Sequence, residues 1–193
     1  MNQENIDLVR EVLSEAAMTE EEKLLMSYRI TPETKLPPMQ PLFKMFGTPC
    51  FYRGELVAAC GKAKSGKTLF LSILMAAGLT EKVLALELNT DCTDLTDFKP
   101  LRVLWIDTEQ SQQSTQDIIV NRIIPLIESS PADLDSSLFA YNLRGLGYEK
   151  RREVVETAVR IVKPDLVIID GIKDLITDIN DAVQATQIME HLM

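Results

Sequence analysis

Residues 61–68 read Gly-Lys-Ala-Lys-Ser-Gly-Lys-Thr, which fits the pattern G-x-x-x-x-G-K-[S/T]. A loop with that spacing wraps successive main-chain N–H groups around the phosphates of a nucleotide, and the helix that follows aims its positive end at the same charge. Gly61 and Gly66 permit backbone angles and a close approach that a β-carbon would obstruct. In such a loop Lys67 contacts the β- and γ-phosphates and the Thr68 hydroxyl ligates Mg²⁺. The main chain of Gly61, Lys62, Ala63, Lys64, Ser65, Gly66 and Leu69 completes the cradle. Lys62 and Lys64 add positive potential. The expected ligand is therefore a nucleoside triphosphate with magnesium.

Hydrolysis of such a ligand needs a second metal contact and a group that activates water. Asp170 closes the apolar run Leu-Val-Ile-Ile at 166–169, the Walker B arrangement, in which a carboxylate positions Mg²⁺. The other reading is that Asp170 caps the segment after it. Glu109 lies just past a second apolar run, Val-Leu-Trp-Ile at 103–106, where it can polarise an attacking water if the two runs are neighbouring strands. Asp107 is the runner-up for that task, and a capping role for Glu109 is the alternative, given Gln110 and Ser111.

These side chains need a frame that brings them to one edge. The loop sits between two apolar runs, 56–60 and 69–79, so the expectation is a strand, the loop and a buried helix. Further strands are expected at 103–106, 138–141 and 166–169, apolar on both faces as buried parallel strands are. Helical spacing covers 113–127 and 149–162 between them. The fold class that follows is α/β, a three-layer α/β/α sandwich with a mostly parallel sheet. Residues 82–88 fit helix or strand, and 89–97 read as a loop. At the N-terminus, 4–28 looks helical with a second start at Thr19-Glu20-Glu21-Glu22. Five prolines between 31 and 49 read as a linker, dividing an arm, 1–48, from a core, 49–193. Residues 181–193 read as a terminal helix.

Composition narrows the class. The chain has 193 residues, 46% of them hydrophobic and 25% charged, an ordinary globular profile. No apolar stretch approaches the ~18 residues that span a bilayer, and the polar, acidic N-terminus resembles no targeting peptide. Three cysteines, Cys50, Cys60 and Cys92, without C-x-x-C pairing fit a reducing, cytoplasmic setting. A net charge of −9 argues against a broadly basic nucleic-acid surface. The one local basic cluster is Arg144 with Lys150, Arg151 and Arg152. His191, the only histidine, directly follows Glu190 and has no cysteine near it in sequence.

Taken together, the loop at 61–68, Val-Leu-Trp-Ile-Asp-Thr-Glu at 103–109 and Val-Ile-Ile-Asp-Gly at 167–171 resemble the RecA-like P-loop ATPases. The likeness is nearest to the hexameric helicase-type branch carried by bacterial plasmids and mobile elements, and Arg53-Gly54-Glu55-Leu56 shares in it. It covers roughly residues 48–193. The resemblance implies ATP rather than GTP as ligand (no N-K-x-D motif is present), Glu109 as the catalytic glutamate, and a homo-oligomer, a hexamer for example, acting on single-stranded DNA. In that family a further strand follows the Walker B strand and lies between it and the loop's strand. Only 23 residues follow Asp170, and none offers such a strand. The resemblance thus implies a core incomplete at its C-terminus and a chain that in isolation folds poorly or is a weak ATPase. A nucleotide-gated regulatory module with little turnover is the alternative.

Overall fold

The strand Val103–Asp107 is buried at every position, and its neighbours explain why. The structure, a computed structural model, describes residues 18–62, 64–89, 98–127 and 134–175. The chain divides into two units, Met1–Pro38 and Met39–Met193.

In the first unit α1 (Glu20–Tyr28) begins where the sequence signals a second start. Thr19 accepts from the Glu22 N–H, and the Glu22 carboxylate accepts in return from the Thr19 N–H, a closed capping box. The expected helical stretch before residue 18 lies outside the described residues.

The second unit opens with strands where a proline-rich linker was expected. β1 (Pro41–Met45) and β2 (Thr48–Tyr52) pair antiparallel across a two-residue turn. Both turn residues, Phe46 and Gly47, have positive φ, as a type I′ hairpin requires. The prolines do not forbid this. Pro41 is the first residue of its strand, and Pro49 lies on the edge strand β2, positions where a missing N–H does not interrupt a ladder.

The loop helix follows as α2 (Lys67–Leu79), buried from Leu74 to Leu79. β3 (Lys82–Val83) and β4 (Leu86–Leu88) resolve the ambiguous stretch 82–88 as strand, since β4 finds a partner in β1. The result is a four-stranded antiparallel sheet, order β2-β1-β4-β3.

Three expected strands form the second sheet. The buried central strand is β5 (Val103–Asp107), flanked by β6 (Leu138–Asn142) and β7 (Leu166–Asp170), all parallel, in the order β6-β5-β7. Its two faces serve two cores. Val103 and Trp105 join Met75, Ile118, Ile123 and Ile168, whereas Leu104 and Ile106 join Val155, Ala158 and Val162 of α5 (Tyr148–Val162). Helices therefore cover both faces of this sheet, which is α/β architecture.

The expected helix at 113–127 is interrupted. It runs as α3 (Gln112–Ile118), a π turn (Ile119–Ile123) and α4 (Ile124–Ile127), with the Ile124 N–H reaching back to the Ile119 carbonyl. Pro125 supplies the reason: it has no N–H to donate and its ring crowds the carbonyl four residues back, so the turn before it widens.

Candidate functional site

Parallel pairing in register lines up the carboxyl ends of three strands. Asn142 of β6, Asp107 of β5 and Asp170 of β7 stand side by side, so two of the acids singled out in the sequence share the edge where open α/β sheets bind ligands.

The phosphate-loop motif arrives at that edge through α2. Gly66 caps the helix in a left-handed conformation (φ 86°) with no side chain closing the first turn, so α2 starts on bare main-chain amides. Gly61 packs so tightly on Ser65 that a β-carbon would collide with its Oγ. The Lys67 ammonium folds back over the loop and donates to the carbonyls of Gly61 and Lys62, 3.1 Å each. Lys62, Lys64, Ser65 and Leu69 are exposed around it. Ala63 lies outside the described residues.

Thr68, the next residue, donates its hydroxyl to Asp170 Oδ2 at 3.0 Å, across 102 residues of sequence. Asp170 is buried, and burial is the main reason its pKa is raised; the Asp107 and Glu109 carboxylates push the same way, opposed by the Thr68 bond and by Lys67. A hydroxyl and a carboxylate are hard oxygen donors. Mg²⁺ takes one or two such protein ligands and fills its remaining positions with phosphate oxygens and water. The pair fits that ion, and among the described residues no group of three or more His, Cys, Asp or Glu forms an all-protein metal cage.

The two candidates for the water-activating role fare differently. Asp107 is fully buried and engaged: Oδ1 accepts from the N–H groups of Glu109 and Gln110, and Oδ2 from Thr115 Oγ1 at 2.6 Å. It holds the strand exit in shape. Glu109 instead has its side chain 41% exposed and pairs with Lys173 at 3.0 Å. That contact, followed by the charge of Asp174, raises the Lys173 pKa.

Sequence reasoning missed Lys173 and the contact it makes with Glu109. The 3₁₀ helix Ile172–Leu175 leaves β7 through Gly171, whose φ of 98° favours glycine. A β-carbon at Gly171 would run into Thr108 Oγ1 and Glu109 Cγ, so the two strand exits touch only because it is absent. Thr108 Oγ1 is within hydrogen-bond distance of the Asp170 carbonyl, the Gly171 carbonyl and Asp174 Oδ2. Arg151 of α5 donates to the carbonyls of Asp174, Leu143 and Arg144. One member of the basic cluster is thus spent inside the fold, and Lys150 pairs with Glu153. Only the glycine following Asp170 hinted at this contact.

One expected element does not form. Residues 55–60 carry no strand, and Leu56 and Val57 are exposed. An apolar run becomes a strand only by pairing, and among the described residues β7 pairs with β5 alone. Val167 on β7 is correspondingly part-exposed. The loop is held at its downstream side, through α2, rather than from both sides.

Elsewhere, Cys50 is half-buried and Cys60 exposed, both free. A cleft of about 400 Å³ beside β6 is lined by Gln112, Gln113, Gln116, Ile119 and Asn142, none of them from the loop. Among the described residues no helix is long and apolar enough to cross a membrane. Cys92, His191 and the terminal helix expected at 181–193 lie outside the described residues. Compared with family models, curated proteins and solved structures, the chain matches none.

Proposed function

We propose that the chain binds ATP with Mg²⁺ and hydrolyses it, as the nucleotide-binding core of a RecA-type motor. The observation that carries the reading is the 3.0 Å bond between Thr68 and Asp170, which joins the phosphate-loop motif to the acid ending β7. In this reading the loop amides and Lys67 bind the phosphates, the ammonium exchanging two carbonyls for phosphate oxygens. Thr68 and Asp170 hold the metal, which supplies charge neutralisation for the triphosphate. Glu109, the partly exposed acid on the same edge, accepts a proton from water, while Asp107 fixes the strand exit behind it.

The test has two arms. Lys67→Ala abolishes binding of a fluorescent ATP analogue. Glu109→Gln keeps that binding and lowers steady-state phosphate release about 10²–10⁴-fold, the usual contribution of a general base. Retained binding in the first variant or unchanged turnover in the second overturns the assignment.

Action on single-stranded DNA and assembly into a homo-oligomeric ring rest on the family resemblance. The exposed apolar residues of the first unit, Leu24, Leu25, Met26 and Tyr28, suit packing on a neighbouring subunit. Stimulation of phosphate release by single-stranded DNA, and a mass by light scattering that is a multiple of 21.7 kDa, are the expected results. A second reading, a nucleotide-gated regulatory module with little turnover, is favoured by the unformed strand at 55–60. Tight ATP binding without measurable phosphate release, with or without DNA, selects it.

A further inference from the structure

We infer that Lys173 is a positioning residue for Glu109: its ammonium holds the glutamate side chain at the end of β5, on the side facing Asp170. The inference rests on the hydrolytic reading above and deepens it. Lys173 Nζ lies 3.0 Å from Glu109 Oε1. The turn that delivers it is tied at several points. Gly171 lies against Thr108 and Glu109, the Thr108 hydroxyl is held among the Asp170 carbonyl, the Gly171 carbonyl and the Asp174 carboxylate, and Arg151 donates to the Asp174 carbonyl.

The base therefore takes its orientation from the same strand exit that carries the metal-binding acid. Local charge favours such a partner. Asp107, Glu109, Asp170 and Asp174 converge on this edge, and Lys67 is turned towards the carbonyls of its own loop. A part-exposed ion pair contributes little to stability. Its consequence is placement: a glutamate with free torsions spends less time in line with an attacking water, and small misplacements are costly to rate.

Phosphate release from ATP and binding of a fluorescent ATP analogue, measured on the full chain, test this. Lys173→Ala is expected to lower kcat about tenfold while KM and analogue binding stay near wild type, which also verifies folding. Lys173→Arg restores most of the rate, because a guanidinium also reaches a carboxylate. In the Glu109→Gln background, Lys173→Ala produces no further loss, since the group it positions is gone.

An unchanged kcat in Lys173→Ala, an equal loss in both backgrounds, or no rescue by Lys173→Arg overturns the inference alone. A wild-type chain that does not hydrolyse ATP overturns the hydrolytic reading together with it. Wild-type turnover that survives Glu109→Gln removes Glu109 from its role, and Lys173 with it.

Discussion

Asp170 sits in surroundings that disfavour its charge. Burial first, then the carboxylates of Asp107 and Glu109, raise its pKa above the usual 3.8, and the Thr68 hydroxyl and Lys67 do not cancel them. A raised folded-state pKa means the folded chain holds that proton more tightly than the unfolded chain. The stabilisation is complete below the unfolded value and is lost as pH rises through the folded one. At neutral pH the ionised carboxylate is then a net cost. Asp170→Asn is expected to raise the melting temperature of the nucleotide-free protein at neutral pH, with the gain fading towards about pH 4. It should also remove Mg²⁺-dependent ATP binding, so stability and function separate at one residue. Equal melting curves across the pH series would refute the electrostatic account. Gly171→Ala combines a left-handed backbone with a collision against Thr108 and Glu109, and a stability loss of about 1–3 kcal/mol in denaturant titrations is expected.

Among the elements, α3 is tied to the sheet by the Thr115 hydroxyl as well as by the buried Ile118. Thr115 donates to Asp107 Oδ2 and accepts from Asn142 Nδ2 at 2.7 Å, linking α3, β5 and β6. Thr115→Val keeps the shape and deprives a buried carboxylate of a donor, a loss of about 1–3 kcal/mol by thermal or chemical unfolding. The parallel strands themselves were legible, because unbroken apolar runs such as Leu-Val-Ile-Ile have few other ways to be covered. The hairpin Pro41–Tyr52 was not. Proline content signals a break, and only the partner strand reveals that Pro41 and Pro49 occupy tolerated positions. The π turn was equally hidden, since helical spacing continues through it while the hydrogen bonding does not.

At the scale of the whole molecule, among the described residues β7 is paired along one edge and Val167 is part-exposed, while Leu56 and Val57 are exposed in a segment without a strand. Unpaired edges with apolar side chains invite association between chains. Val167→Lys is expected to reduce concentration-dependent light scattering without altering ATP-analogue binding. Self-association should also peak near the sequence isoelectric point of 4.7, where the net charge of −9 has been titrated away.

The order Gly-Lys-Ala-Lys-Ser-Gly-Lys-Thr by itself determined the expectation of a phosphate cradle, because such a cradle is built from consecutive amides whose geometry neighbouring residues dictate. The runs that became β5, β6 and β7 were likewise written locally. Tertiary structure alone decided that Thr68 meets Asp170, that Asp107 is consumed by Thr115 and the main chain while Glu109 stays accessible, and that Lys173 reaches Glu109. It also decided that residues 55–60 form no strand. Each of these depends on which strand exits lie side by side and which edges find a partner, and hydrogen bonding across a hundred residues leaves no trace in local spacing.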